Sequence, residues 1–227
     1  MIQFDIITIF PGIFDSYFNE SIIARAQKSK KIKINIVNLR KFATDKHNTV
    51  DEKQYGGGPG MVFKIEPIVK AIDSILKIKN QKSKIKNNVK IILFSAAGKQ
   101  FDGKMARNFS KKYDRVIMIC GHYEGVDERI FDVLKAKSYK LEAISIGPYV
   151  LTGGELPAMV VVDAVSRHIP GVLGKGESLE EERLGVGVPV YTRPEIFKWK
   201  GKKYVAPKIL LSGDHKKIED WRKAHRK

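Results

Sequence analysis

The chain of 227 residues has a single cysteine, Cys120, which excludes an intramolecular disulfide framework and a Cys-rich zinc site. Long apolar runs are also missing: none approaches the roughly 20 residues needed to cross a bilayer. The opening MIQFDIITIFPG lacks a basic n-region and carries Asp5 inside its apolar stretch, unlike a secretory signal. The cytosol is the expected address. No internal repeat is visible, and two phosphate fingerprints are absent. Neither G-x-G-x-x-G after the first strand-like segment nor G-x-x-x-x-G-K-[ST] occurs, which disfavours nicotinamide and nucleoside triphosphate cofactors. Acidic residues are scarce beside basic ones, 25 Asp and Glu against 42 Lys and Arg.

What is present is enough to build a sizeable core: 43% of residues are hydrophobic and 9% aromatic, so a wholly disordered chain is excluded. The formal net charge of +17 points to a polyanionic partner, nucleic acid ahead of a membrane surface. A Lys-rich, merely solvated surface explains that total equally well. Distribution favours binding: 77–90 holds six Lys and no acid, and 198–227 holds eleven basic residues against three acidic ones.

Along the chain, strand-like and helix-like segments alternate. Ile2 to Ile9, Ile32 to Leu39, Val89 to Phe94, Arg115 to Cys120 and Tyr139 to Ile146 read as strands. Helices are expected from Pro11-Gly12 through about Gln27, over Glu66 to Ile78, after Asp102, from about Val126 to Ala136, and over Glu155 to His168. Such alternation implies an α/β fold with a parallel sheet covered on both faces. Near residue 171 the character changes. Gly171 to Gly187 carries five glycines and the acidic residues Glu177, Glu180, Glu181 and Glu182, as a mobile linker would. A basic tail follows, in which Asp214 can cap a last helix.

Loop chemistry gathers at three strand ends: Ser95-Ala96-Ala97-Gly98, the run from Cys120 to Gly125, and SIGPYVLTGGE from Ser145 to Glu155. In open α/β sheets, ligands bind outside the carboxyl ends of strands, and glycine there permits close backbone approach or positive φ. One such loop is ordinary turn chemistry; three favour a nucleotide-like pocket. A fourth cluster, Tyr55-Gly56-Gly57-Gly58-Pro59-Gly60-Met61, follows a polar stretch and reads either as a mobile loop or as backbone shaped around something flat.

Taken together, GGGPGMV at 56–62, GHYEGVDERI at 121–130, SIGPYVLTGGELPAMVVVDAVSRHIPGVLG at 145–174, YTRP at 191–194 and LLSGDH at 210–215 closely resemble the bacterial tRNA (guanine-N1)-methyltransferase family. The resemblance runs essentially end to end. It implies a trefoil-knotted, SPOUT-class parallel α/β domain over 1–170, a flexible linker over 171–190, and a small basic helical tRNA-binding domain over 191–227. It also implies a homodimer with shared active sites, S-adenosylmethionine as methyl donor, and guanine 37 of tRNA, next to the anticodon, as target. Mg²⁺ is left open, and no metal ligands are assigned. By the same resemblance, the donor meets Ser95, Ala96, Ala97, Gly98, Gly121, Tyr123, Glu124, Ile146, Gly147, Pro148, Tyr149, Val150, Leu151, Gly153, Gly154 and Pro157. Gly57, Gly58, Pro59, Gly60, Met61 and Arg193 fall on the substrate side.

N1 of neutral guanine carries a proton, so a carboxylate must take it as N1 attacks a methyl group. The charge left on O6 needs a fixed guanidinium. The resemblance assigns these roles to Glu182, where the family has Asp, and to Arg167. The chain is about three residues shorter than the family pattern between this position and YTRP, which makes Glu181 the rival base. Arg167 can also pair with Asp163 one turn back. Pro148 stands where the family commonly has Asp, and His122 where Arg is frequent. Two other readings share the composition: a knotted-superfamily enzyme acting on ribosomal RNA, and a non-enzymatic RNA-binding protein.

Overall fold

The structure, a computed structural model, describes residues 1–80, 88–173 and 187–226. It divides into two compact units, Met1–Val172 and Leu173–Lys227. In the first, β1 (Ile2–Thr8) is followed by a 3₁₀ turn at Pro11–Phe14, then α1 (Asp15–Phe18) and α2 (Ser21–Lys28). The single helix expected through Gln27 is thus divided at Asn19–Glu20. Next come β2 (Ile32–Asn38), the short strands β3 (Asp51–Lys53) and β4 (Met61–Phe63), and α3 (Ile65–Asn80). The remainder is β5 (Val89–Gln100), α4 (Gly103–Lys112), β6 (Arg115–Ile119), α5 (Ile130–Ala136), β7 (Leu141–Ser145) and α6 (Glu155–Arg167). Asp102 caps α4 as expected, its Oδ1 accepting from the Met105 N–H at 2.7 Å.

Five strands form one parallel sheet in the order β2-β1-β6-β5-β7. Alternation along each strand serves two faces. Phe4, Ile6, Ile92, Val116 and Met118 meet α2, α4 and α6 on one side, where Ala158, Val161, Val162 and Val165 supply the α6 stripe. Ile7, Ile91, Leu93, Ile117 and Ile119 meet α3 and α5 on the other, through Ile68, Ile72, Ile130 and Leu134. At the start of β6 the buried Arg115 Nε lies 3.3 Å from Asp5 Oδ2 of β1, and Arg115 Nη1 donates to the Ile75 carbonyl at 2.7 Å. One side chain thus ties two strands to a covering helix.

Two boundaries differ from the sequence reading. β5 does not end before Ser95–Gly98. It continues through a register shift between Phe94 and Lys99 and pairs again, Lys99 and Gln100 opposite Ile144 and Ser145. α5 begins at Ile130 rather than Val126, because Asp127 Oδ1 accepts from the Arg129 N–H at 3.0 Å and holds a turn there.

The second unit is not helical alone. β8 (Ile196–Trp199) and β9 (Lys202–Val205) form an antiparallel hairpin, followed by a 3₁₀ turn at Lys208–Leu211 and a helix over His215–Ala224. Asp214 caps that helix, accepting from the Lys217 N–H at 3.1 Å. Of the expected linker 171–190, residues 174–186 lie outside the described residues. Among the described residues no helix is long and apolar enough to cross a membrane.

Candidate active site

The register shift within β5 and the carboxyl ends of β6 and β7 open into a cavity of about 270 Å³. β5 lies between β7 and β6 in the sheet, so after β7 the chain crosses β5 to reach β6, where the Gly154 N–H donates to the Gly121 carbonyl at 3.1 Å and His122 bridges to Gly153. This crossing explains the paired glycines of TGGE. A Cβ on Gly154 would sit 2.6 Å from Cys120 Cα, and one on Gly153 would sit 2.2 Å from the His122 ring. Both positions require glycine for close approach rather than for unusual φ.

α6 starts at this crossing with Glu155, which is 3% exposed. Its two oxygens are fully engaged: Thr8 Oγ1 donates to Oε1 at 2.6 Å, and His122 Nε2 lies 2.7 Å from Oε2. The helix N-terminus favours a carboxylate at that place. The His122 ring also packs edge-on against Phe10, with centroids 5.0 Å apart. Thr8, His122 and Glu155 therefore lock β1, the loop after β6 and the start of α6 together beneath the cavity. Glu155→Ala would strand the Thr8 hydroxyl and the His122 ring at about 1–3 kcal/mol for each unsatisfied group. Urea unfolding should show that loss, while Glu155→Gln should recover part of it.

The fourth glycine cluster is the turn of the β3–β4 hairpin, a strand pair hidden in the sequence because Asp51-Glu52-Lys53 is wholly polar. Gly56, Gly57, Gly58 and Gly60 all have φ between 77° and 109°, a region where only glycine is unstrained. The hairpin is tied to the loop after β6: the Glu124 N–H donates to the Met61 carbonyl at 3.1 Å, and the Phe63 N–H to the Gly125 carbonyl at 2.9 Å. The Glu124 side chain rests on Gly60, where a Cβ would come within 2.5 Å of its carboxylate.

Twelve of the residues assigned to the donor line the cavity: Ser95, Ala96, Gly121, Tyr123, Glu124, Ile146, Tyr149, Val150, Leu151, Gly153, Gly154 and Pro157. Four do not. Gly98 is packed against the backbone of Ala143 and Ile144, so its smallness serves the β5–β7 contact. Gly147 lies under the Tyr149 ring, and Ala97 and Pro148 are outside the lining. Sequence reading missed Leu93, Phe94, Val126, Ile144 and Thr152 in the wall, and Glu128 as a second carboxylate beside Glu124. Cys120 is a core residue, as expected; burial and then the Glu155 charge push its thiol well up, so it is no nucleophile. Among the described residues no cluster of three or more His, Cys, Asp or Glu could hold a metal ion.

Arg167 is the last residue of α6, while Pro157 lines the cavity near its start. Ten residues of helix separate them, about 15 Å along the axis. Arg167 is not in the lining. Its helical neighbour Asp163 engages Tyr17, whose hydroxyl is pushed up by burial and then by that carboxylate. Glu181 and Glu182 lie outside the described residues. Arg193 is exposed and precedes the β8–β9 hairpin in the second unit.

The family model described as tRNA (guanine-1)-methyltransferase TrmD matches residues 2–227. The chain belongs to that family. A protein named tRNA (guanine-N(1)-)-methyltransferase from Dictyoglomus turgidum is 48% identical over 226 residues, covering 98% of this chain and 84% of the relative. Proteins of the same name from Carboxydothermus hydrogenoformans and Clostridioides difficile are 46% and 45% identical, each covering 97% of this chain and 81% and 90% of theirs. In this TrmD-family chain the cavity joins apolar wall residues such as Leu93, Ile144, Ile146, Leu151 and Pro157 to the carboxylates of Glu124 and Glu128. That donor set suits a flat heterocycle carrying a cationic group, which is the chemistry of a sulfonium nucleoside.

Proposed function

We propose that this protein methylates N1 of guanine 37 in tRNA, using S-adenosylmethionine, as a homodimer in which each site takes residues from both chains. The observation that carries the reading is the cavity built where β5 shifts register and β6 and β7 end, in a chain matched over residues 2–227 by a tRNA (guanine-1)-methyltransferase family model. The crossing of β5 by the loop after β7 is consistent with a knotted backbone.

S-adenosylmethionine, when bound, supplies an electrophilic methyl group on a sulfonium sulfur. Ser95, Gly121, Tyr149 and Leu151 would hold it, with Glu124 and Glu128 facing its positive charge. The β3–β4 glycine turn, tied to Glu124 and Gly125, would present Gly57, Gly58, Pro59, Gly60 and Met61 to the target base. Glu182, or Glu181 if the shortened linker shifts the register, would accept the N1 proton. Arg167 would stabilise the negative charge that proton loss leaves on O6. The second unit, which includes Arg193, would hold the tRNA backbone.

Two observations support the dimer. Arg167 stands about 15 Å along α6 from Pro157 and outside the cavity lining, which favours a second chain bringing the two together. On α6, Leu156 and Val160 are exposed on the same stripe as Asp163 and Arg167, and Phe10, Ile13 and Tyr17 are exposed beside them. An apolar patch of this kind marks an interaction surface.

Equilibrium binding of S-adenosylmethionine separates the enzyme from an RNA-binding protein without catalysis: saturable binding is expected, and none would overturn the reading. Deleting residues 198–227 should abolish tRNA binding and leave S-adenosylmethionine affinity within a few-fold. Loss of both by a still-folded protein would refute the division of labour.

A further inference from the structure

We infer that one face of the β8–β9 hairpin is a stacking platform for unpaired bases of the RNA substrate, a base-binding site beyond phosphate contacts. The inference rests on the tRNA reading above. Phe197 and Trp199 alternate onto one face of β8, and Tyr204 lies directly opposite Phe197 on β9. The Phe197 and Trp199 rings are stacked, centroids 6.3 Å apart at 13°, and Tyr204 adjoins Phe197 at 6.4 Å. These three residues are 54%, 58% and 53% exposed. Single exposed apolar residues are ordinary, but three contiguous aromatics on a two-stranded sheet mark a docking surface.

Charge selects the occupant. Between 196 and 205 there are four lysines, Lys198, Lys200, Lys202 and Lys203, and no carboxylate. Lys202 shares the aromatic face, opposite Trp199, and Lys200 sits at the turn with φ 47°, beside Gly201 at 75°. A second copy of this hairpin, with four lysines and no carboxylate of its own, would bring like charge against like on this face. Single-stranded nucleic acid presents flat apolar faces strung on a polyanion, and proteins that bind it combine aromatic platforms with cationic flanks. Unpaired loop bases are the part of an RNA free to stack in this way.

The test is tRNA affinity of the full-length protein, measured at several salt concentrations by anisotropy of labelled transcript. Trp199→Leu and Phe197→Leu should each weaken binding by about 5- to 150-fold at every salt concentration, with the logarithmic salt slope unchanged. Trp199→Tyr should restore most of the affinity. Lys202→Gln and Lys203→Gln should lower the salt slope, by about 0.7 for each phosphate no longer neutralised. If the lysine variants act and the aromatic variants do not, the unit reads phosphates only and the platform is wrong. If neither class acts, the tRNA role of this unit fails and the platform with it. A change in sedimentation of Trp199→Leu, with tRNA affinity intact, would assign the face to protein association and overturn the proposal.

Discussion

Arg167→Ala and Gly121→Leu chains, each inactive alone, should recover about a quarter of wild-type activity when unfolded and refolded together, as random pairing in a twofold dimer requires. Gly121 lines the cavity, and a side chain built there would start 3.5 Å from Val126 and extend into the donor space. Arg167 lies at the far end of α6, ten residues beyond Pro157. In a mixed dimer, one site combines an intact cavity with an intact Arg167 from the other chain, and the second site has neither. Half the dimers are mixed, and each carries one working site. If every site were built within one chain, mixing would recover nothing. The measurement is methyl incorporation into tRNA before and after co-refolding, with each variant refolded alone as control.

Removing the base should cost as much as removing the guanidinium. Glu182→Gln keeps shape and hydrogen-bonding capacity but cannot accept the N1 proton, so single-turnover methylation should slow by at least about 100-fold. Arg167→Ala should slow it comparably by withdrawing the O6 partner. S-adenosylmethionine affinity should barely change, because neither residue is assigned to the donor pocket. Glu181→Gln alters the same charge one residue away and separates the two registers. A crippled Glu181→Gln beside a near-normal Glu182→Gln would move the base by one position, in keeping with the shortened linker. Normal rates in both would send the proton elsewhere.

The sheet was legible because its signal is periodic and local. Phe4, Ile6, Val116 and Met118 alternate with Ile7, Ile117 and Ile119, and each set finds a covering helix whose stripe is visible on its own. The loops after β6 and β7 were legible for the same reason, since apolar runs stop and glycines begin, whereas Ser95–Gly98 only interrupts β5, which pairs again at Lys99. What escaped depends on partners distant in sequence. Asp51-Glu52-Lys53 has no strand character and becomes one by pairing with Met61–Phe63. Thr8, His122 and Glu155 look unrelated, separated by up to 147 positions, until the chain crosses β5 and brings them within hydrogen-bonding distance. The β8–β9 hairpin was hidden by its lysines, which read as a tail although Lys200-Gly201 supplies two consecutive positive φ angles for a tight turn. Gly98 read as a ligand contact from sequence, and its packing against the Ile144 backbone needed a partner some forty-six positions away to be seen.

The most direct test of the central claim is to locate the methyl group. Purified protein, S-adenosylmethionine and an unmodified tRNA transcript with guanine at positions 36 and 37 should yield one N1-methylguanosine at 37, read by nuclease digestion and mass spectrometry. A transcript with adenine at 37 should yield none. Methylation at another tRNA position, or of ribosomal RNA in preference to tRNA, would contradict the account.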